Sequence, residues 1–387
     1  MRVLVSGAGI AGLSLGLLLE RRGVEVVIAE RARRLEPLGH YIGLKGNGVR
    51  TVERMGLLDA CRAREQRLDG VRFHTPSGRL LRENRATRLE RELGGVLFFR
   101  RADLHAALHE AVAGKVELRL GTEVQALEAG PERVEVRLSD GRSEAFDALI
   151  GADGVRSPTR ARVFGSGHEV PLGGRYIALT VEVDHGLDPR FVAAYLGRGQ
   201  MVGLIPIGPR VASPFVYHAD GGEQPASRSA ADVRDFLLRA CGDFGAPVRR
   251  TFEAIDASSY VFTDSITMVR PPRIVKGRVA LLGDAAACPT FLSGMGSALA
   301  LQGAYHLARA LEEHPGDVPA ALLRYEAGIR PIAARYQQSA WKMRGFVLGR
   351  SRVRAAVRDA ALAWMPDRLF VREAQRFYAA ERAASPA

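Results

Sequence analysis

Three glycines near the start of the chain have the spacing of a turn that binds phosphate groups. Gly7, Gly9 and Gly12 follow a short apolar stretch at 3–5 and precede an apolar helical pattern that ends near residue 21. In such a turn the first glycine permits a tight bend, the second lets the backbone approach a pyrophosphate, and the third lets the helix pack closely on the sheet. The N–H groups that begin the helix then face the phosphates.

A carboxylate stands at the distance from this turn that a ribose contact requires. A second strand pattern at 24–29 ends in Glu30, where such folds place an acid that accepts hydrogen bonds from ribose hydroxyls. We therefore expect a strand–turn–helix–strand unit that binds an adenine dinucleotide, with Ala11 among the residues beside the ligand. The hydrolase-like pattern around Ser14 lies inside the predicted helix and not on a strand-to-helix turn, so it does not indicate a nucleophile.

Two later strand patterns also end in a glycine and an aspartate. The pattern at 146–150 precedes Asp153, and the pattern at 279–282 precedes Asp284. Ligands of parallel sheets lie beyond the carboxyl ends of the strands, so these residues and Glu30 predict contacts along one long ligand. FAD is long enough to reach all three. A helix that begins near Gly296 would direct its N-terminus at the flavin pyrimidine and favour the reduced anion.

The order of these patterns predicts an α/β protein with a Rossmann-like FAD-binding domain. We assign that domain to residues 1–169 and 266–335. Strand-like segments separated by Gly and Pro predict an inserted, mostly antiparallel β-sheet domain for the substrate at 170–265. We assign residues 336–387 to a C-terminal helical segment. The chain is expected to be helical from 317 to about 384, with breaks at Pro331, Gly349 and Pro366.

Three shorter elements are expected before the inserted sheet. The sequence predicts a helix over 49–63, a hairpin over 71–82 and a helix over 101–112. His105 and His109 stand four residues apart on the last of these, and we interpret them as part of a solvated face because no third metal ligand is suggested.

The charge and the cysteine content of the chain limit which partners and metal sites it is expected to have. The net charge of the 387 residues is +12, but only four of the 55 cationic residues are lysine and the arginines are scattered without a nucleic-acid-binding motif. We therefore expect no nucleic-acid partner and no membrane association. Three distant cysteines without a CxxC pair favour a reducing cytoplasm and no metal site. No export signal is expected, and the chain is predicted to be a monomer or homodimer.

Several motifs in this order resemble the para-hydroxybenzoate hydroxylase-like family of single-component FAD-dependent monooxygenases, over about residues 1–335. They are GAGIAG with Glu30-Arg31, RADL at 101–104, GADGVRSPTR at 151–160, GRVALLGDAA at 277–286, GMG at 294–296, and Tyr325-Glu326 with Arg330-Pro331. The resemblance implies that Arg101 contacts the FAD pyrophosphate region, Val124 the adenine side through its backbone, and Asp284 the ribityl chain. The full set of implied cofactor positions is Gly7, Gly9, Ala11, Gly12, Glu30, Arg31, Arg101, Val124, Asp153, Asp284, Gly294, Met295 and Gly296.

The resemblance also implies a reaction. NADPH or NADH would reduce FAD, and the reduced flavin would trap O₂ as a C4a-hydroperoxide that hydroxylates or epoxidises an aromatic or polyketide-like small molecule. A phenol substrate would benefit from a base, but the sequence identifies no catalytic residue. The candidates for substrate contact are Tyr41, Lys45, Tyr195, Tyr217 and Phe291.

The loop that would face the flavin departs from the family pattern. Ala287, Phe291 and Ala298 stand where the family usually has His, Pro and Asn. Two alternatives therefore stay open: a flavin-dependent reductase or dehydrogenase, and a protein that keeps FAD structurally as a cyclisation or binding scaffold. A plain NAD-dependent dehydrogenase would leave Asp153 and Asp284 unexplained. Cys288, on the same loop, is expected to be a small packed residue.

Overall fold

The computed structural model describes residues 1–35, 39–85, 95–219 and 223–383. Helices and sheets alternate along the first part of the chain, and the predicted α/β class is confirmed. Within the described residues, no helix is long and apolar enough to cross a membrane.

A six-stranded sheet carries the glycine turn. In spatial order its strands are β17 (Val275–Lys276), β18 (Val279–Leu281), β11 (Ala148–Gly151), β1 (Arg2–Ser6), β2 (Glu25–Glu30) and β7 (Glu117–Leu120). All neighbours are parallel except the pair β17–β18. The carboxyl ends of β1, β2, β11 and β18 therefore meet at one edge, where a parallel sheet binds its ligands.

Four helices form the layers beside this sheet: α1 (Ile10–Glu20), α4 (Arg101–Val112), α10 (Gly296–Glu313) and α11 (Val318–Val347). Helix α1 is buried almost all round, and Leu13, Leu15, Leu17 and Leu19 are fully inaccessible to solvent. A helix that is apolar on every side is stable only inside the protein, and α1 packs between the sheet and α10.

A second, seven-stranded sheet stands beside the first. In spatial order its strands are β16 (Tyr260–Val269), β12 (Glu169–Glu182), β15 (Val211–His218), β14 (Gln200–Gly208), β13 (Phe191–Leu196), β4 (Gly70–His74) and β5 (Leu80–Asn84). Its neighbours are antiparallel except β13 and β4. The hairpin at 70–84 thus joins this sheet, although it lies in the part of the chain assigned above to the FAD-binding domain. The domain boundaries stay a prediction.

The seven-stranded sheet has two different faces. Alternate side chains of β12, such as Ile177 and Leu179, lie against the helices α6 (Ala230–Ala240) and α7 (Ala246–Glu253). Their neighbours Tyr176 and Ala178 point the other way and pack with Leu292 of the loop after β18. Period-two alternation therefore puts one face of the sheet toward the edge where the parallel strands end.

The remaining elements are short or C-terminal. They are β3 (Tyr41–Lys45), which pairs with β6 (Val96–Arg100); the three-stranded sheet of β8 (Val124–Ala129), β9 (Val134–Leu138) and β10 (Ser143–Phe146); and α2 (Asn47–Arg54), α3 (Leu58–Arg62), α5 (Pro158–Phe164), α8 (Asp284–Ala287), α9 (Thr290–Ser293), α12 (Arg352–Trp364) and α13 (Asp367–Ala383).

Two predicted helix boundaries are wrong. The helix expected over 49–63 is divided into α2 and α3 by Gly56, whose φ of +67° ends a right-handed helix. Pro331 does not end a helix, because α11 continues through it. A proline removes one backbone donor, but the burial of Ile329, Ile332 and Ala333 on either side holds the helical course.

Candidate active site

The glycine turn is tightly packed at Gly7 and Gly12 and open at Gly9. Gly7 has a φ of +112°, and a Cβ there would lie 2.5 Å from the carbonyl oxygen of Ala152. A Cβ on Gly12 would lie 1.9 Å from the carbonyl oxygen of Gly7. In contrast, no atom lies within 4 Å of a Cβ built on Gly9. The turn and the helix are therefore locked together, while open space remains at the helix N-terminus. Ala11 is buried behind it.

Glu30, the last residue of the neighbouring strand β2, is hydrogen-bonded to the glycine turn. Its carboxylate accepts hydrogen bonds from the backbone N–H of Ala8, at 2.8 Å, and of Ala32, at 2.9 Å. Thr122 donates its N–H to the carbonyl oxygen of Glu30 at 2.9 Å, which brings the start of β8 and the buried Val124 beside this strand end. Arg31 is exposed next to it.

A cleft of about 530 Å³ opens at this corner of the sheet. Its lining includes Ala8, Gly9, Glu30, Arg101 and His105. His105 does not lie on a solvated face as expected: Nε2 is 2.7 Å from the carbonyl oxygen of Ala8, and burial lowers the pKa of the imidazole. The sequence pattern did not reveal this because the contact joins helix α4 to a turn almost one hundred residues earlier.

Asp153 is held inside its own segment. It accepts hydrogen bonds from the hydroxyl of Ser157 and from the N–H of Thr159, in the first turn of helix α5. The buried Arg160 then donates to the carbonyl oxygen of Ala285 at 3.1 Å and pairs with Glu169. The segment after β11 is thereby tied to the segment after β18.

Asp284 follows strand β18 and begins the short helix α8. Burial raises the pKa of its carboxyl group, and the positive charge of Arg101 acts against that rise. A Cβ on Gly296 would lie 3.9 Å from Oδ1 of Asp284, so the N-terminus of α10 begins beside this carboxyl group. Gly294, with a φ of +65°, and the buried Met295 form the turn into that helix.

The thiol of Cys288 faces the same carboxyl group. Burial, and the negative charge of Asp284, raise the pKa of this thiol well above its ordinary value. Cys288 is a free cysteine, as are Cys61 and Cys241, and all three are buried. A thiol that stays protonated is a poor nucleophile, so the geometry agrees with a packing role.

Side-chain rings from the seven-stranded sheet meet rings from the segment after β18 and from the residue before β3. Phe291 stacks on Tyr176 with 4.2 Å between centroids and an angle of 11°, and the hydroxyl of Tyr217 donates to the carbonyl oxygen of Phe291 at 2.9 Å. Phe262 lies 5.7 Å from Phe291 and His40 lies 5.8 Å from it. We call these five residues the aromatic cluster. It lies on the face of the seven-stranded sheet opposite α6 and α7.

The structure brings together some of the predicted substrate contacts and separates others. Tyr217 and Phe291 belong to the aromatic cluster. Tyr41 packs against the same small apolar group as Phe215, and Lys45 ends the strand β3 that Tyr41 begins. Tyr195 lies on the helix-covered face of the sheet, where its ring stacks on His74 at 4.9 Å.

Sequence reasoning did not identify His40 or Tyr176. His40 is only 7% exposed, and its Nδ1 has no hydrogen-bond partner among the described residues. Burial and the charge of Arg101 lower the pKa of the imidazole to about 4. One signal was present in the sequence: the glycines at 39 and 43 mark a loop held close to another part of the chain. A Cβ on Gly39 would lie 2.9 Å from the N atom of Ala102.

Comparison with known proteins decides the family. A family model described as "FAD binding domain" matches residues 1–340. The chain belongs to the FAD-dependent monooxygenases. It is 31% identical over 328 residues to the aurachin C monooxygenase/isomerase of Stigmatella aurantiaca, covering 84% of each chain. It is 31% identical over 352 residues to the 3-amino-4-hydroxybenzoate 2-monooxygenase of Streptomyces cremeus, covering 89% of this chain and 86% of the relative.

A solved structure shares the fold. Klebsiella pneumoniae HpxO, crystallised with FAD and uric acid, superposes with a TM-score of 0.87 at 24% identity, covering 100% of this chain and 97% of that one. In the chain described here, the open space beside Gly9 fits the pyrophosphate of FAD, and the carboxylate of Glu30 fits its ribose.

Proposed function

We propose that this monooxygenase adds one oxygen atom of O₂ to an aromatic small molecule and takes its electrons from NADPH or NADH. The observation that carries the proposal is the aromatic cluster, which lies beside the Asp284 loop on the face of the sheet opposite α6 and α7. Stacked and edge-to-face rings are the surroundings that a planar aromatic molecule prefers. The names of the two relatives above, both monooxygenases and one acting on an aminophenol, support this substrate class.

Particular residues would hold the cofactor. Glu30 and the N–H groups of the glycine turn would bind the ribose and pyrophosphate, with Arg101 beside them, while Asp284 and the N-terminus of α10 would face the ribityl chain and the flavin ring. When bound, FAD supplies the two-electron chemistry that activates O₂. The chain's own contribution is to orient the substrate and to exclude water, for which the burial of Tyr176 and Tyr217 is suited.

The proposal also covers the location and assembly of the enzyme and its substrate contacts. The enzyme would act in the cytoplasm as a monomer or homodimer on a free small molecule. Tyr41 and Lys45 would contact the substrate from strand β3, whereas Tyr195 would act only through the sheet that carries the aromatic cluster.

The test is isotope incorporation. FAD-loaded protein is supplied with NADPH or NADH, ¹⁸O₂ and a panel of phenols, aminophenols and 4(1H)-quinolones. The expected product contains one ¹⁸O atom, and oxygen is consumed in step with the reduced nicotinamide. Release of all the oxygen as hydrogen peroxide with every compound, or conversion of a compound without label, would contradict the proposal and return the reductase or scaffold alternatives.

A further inference from the structure

The position of His40 is fixed by the cofactor-binding part of the molecule. Its carbonyl oxygen accepts a hydrogen bond from the N–H of Arg101 at 2.9 Å, and strand β3 begins immediately after it. The charge of Arg101 acts on both His40 and Asp284. The imidazole is thus held in the same neighbourhood as the carboxyl group expected to face the flavin.

The ring of His40 points into the aromatic cluster. It lies 5.5 Å from Tyr176, 5.5 Å from Phe262 and 5.8 Å from Phe291, measured between ring centroids. Nδ1 is inaccessible to solvent and, among the described residues, has no hydrogen-bond partner. A buried polar atom left unpaired is unfavourable, so a ligand group that donates a hydrogen bond to it would be bound more tightly.

The imidazole is uncharged before a ligand arrives. Its pKa of about 4 leaves it uncharged at neutral pH. The hydroxyl groups nearby are not alternatives, because burial raises the pKa of both Tyr176 and Tyr217 and the hydroxyl of Tyr217 already donates to Phe291. Among the described members of the cluster, His40 is the one uncharged base.

Hydroxylation of an electron-rich ring requires such a base. As a ring carbon accepts an electrophilic oxygen atom, an O–H or N–H conjugated with that carbon becomes strongly acidic and must lose its proton. A positioned base that accepts this proton accelerates such a step by about 10²–10⁴-fold.

We propose that Nδ1 of His40 accepts a hydrogen bond, and during reaction the proton, from the phenolic O–H or ring N–H of an uncharged aromatic substrate seated in the aromatic cluster. This rests on the proposed function. An oxygen atom from O₂ bonds to the ring carbon while the substrate's O–H or N–H bond breaks toward Nδ1. The hydrogen on that carbon then leaves to water as a proton, the new oxygen atom takes up a proton from water to become a hydroxyl group, and Nδ1 returns its proton to the substrate heteroatom. One reduced nicotinamide and one proton supply the hydride and proton that convert the second oxygen atom to water.

The uncharged cluster also defines the substrate class. An imidazole without charge, surrounded by rings, offers no ion pair to a carboxylate at this point of the site. The preferred substrate is therefore a planar aromatic compound with a neutral hydrogen-bond donor, and the corresponding ether, which has no donor, is a poor ligand.

The first test measures binding alone, so it does not depend on turnover. FAD-loaded wild type, His40→Phe and a control, His306→Gln, are titrated with 2-naphthol and with 2-methoxynaphthalene, followed by ligand fluorescence. His306 is a second histidine whose pKa burial lowers to about 4, on helix α10 and outside the cluster. Wild type and control should bind the naphthol about tenfold more tightly than the ether, and His40→Phe, which keeps a ring but has no acceptor, should bind the two equally.

The second test separates base catalysis from binding. His40→Gln keeps a hydrogen-bond acceptor but is not a base, so it should retain the preference for 2-naphthol while kcat for any phenol hydroxylated by wild type falls about 100-fold with little change in KM. Equal affinity of wild type for naphthol and ether, including no detectable binding of either, would overturn the inference. So would an unchanged preference in His40→Phe. Failure of ¹⁸O incorporation with a preserved naphthol preference would instead contradict the proposed function and leave the binding role of His40 standing.

Discussion

The glycine turn with Glu30, proposed to bind the ribose, and the aromatic cluster, proposed to bind the substrate, differ in how their polar groups are paired. At the ribose end, both carboxylate contacts of Glu30 are made to backbone N–H groups of the protein, and His105 pairs with the carbonyl oxygen of Ala8. In the aromatic cluster, Nδ1 of His40 has no partner among the described residues. At the ribose end the protein itself fixes the carboxylate before any ligand arrives, which suits a cofactor that stays the same in every turnover. The aromatic cluster leaves one polar atom for a molecule that enters and leaves.

The largest effect should come from filling the glycine turn. In Gly12→Ala the new Cβ would meet a backbone oxygen at 1.9 Å, which no side-chain motion relieves. We expect a loss of about 3 kcal/mol or more in unfolding free energy and no retained FAD. Thermal unfolding and the flavin-to-protein ratio test this. Gly242→Ala is the matched control, because its nearest contacts are at an ordinary 3.6 Å. A stable, yellow Gly12→Ala protein would show that the ribose end is not rigid.

A second large effect should come from the C-terminal helix α13, which is bonded to the start of α2 after strand β3. Glu381 of α13 is 1% exposed, accepts from the hydroxyl of Tyr336 at 2.8 Å and from the N–H of Asn47 at 3.1 Å, and pairs with Arg335. Glu381→Gln should lower the unfolding free energy by about 2 kcal/mol, because it weakens the hydrogen bonds of a buried carboxylate and removes the counter-ion of Arg335, which is one-third exposed.

Denaturant unfolding measures this change. Glu373→Gln, on the same helix, removes an ion pair whose partners are about three-quarters exposed and should change stability little. Equal losses in the two variants would mean that α13 does not hold the loop that follows β3.

The aromatic cluster should also be the acid-sensitive end. The pKa of His40 is about 4 in the folded protein and near 6.5 in the unfolded chain, so between these pH values the unfolded chain alone takes up the proton. Stability is therefore full above pH 6.5 and falls by about 3 kcal/mol as the pH is lowered toward 4. The unfolding free energy, measured by denaturant at several pH values across this range, should change less with pH for His40→Gln than for wild type. An identical slope would contradict burial of a neutral imidazole.

A smaller effect is expected at the ribose. Glu30→Gln retains one acceptor oxygen and loses the charge, so we expect about tenfold weaker FAD binding with modest change in the stability of the apoprotein. Equilibrium titration of apoprotein with FAD measures it. Glu25→Gln, on the same strand but exposed and paired with Arg2, should bind FAD as wild type does. Equal affinity in both variants would remove Glu30 from the cofactor site.

The smallest change concerns strain beside the aromatic cluster. Thr290 has a φ of +63°, which a β-branched residue rarely adopts, and its hydroxyl accepts from the N–H of Leu292 at 3.2 Å. Thr290→Asn suits this backbone and keeps an acceptor, so stability should rise by about 1 kcal/mol. Thr290→Val keeps the strain and loses the acceptor, so it should be less stable than wild type. The reverse order in thermal unfolding would show that the loop is not strained.

The sequence alone determined the ribose end and the class of fold. Gly7, Gly9, Gly12 and Glu30 belong to one unit of thirty residues, so spacing and hydrophobic periodicity are sufficient to place them. The prediction of an α/β fold is confirmed for the same reason, and the FAD-dependent monooxygenase family recognised from the ordered motifs is confirmed by comparison. Individual residue roles stay predictions.

Only the tertiary structure decided the aromatic cluster. Its members lie at 40, 176, 217, 262 and 291, in five segments that no local period connects. Whether Tyr217 or Tyr195 belongs to the aromatic cluster depends on which side of the sheet the helices α6 and α7 cover. The joining of the hairpin at 70–84 to that sheet depends on pairing with β13. Such choices are made by burial between distant parts of the chain, and for that reason His40 became visible as a candidate only after the chain was folded.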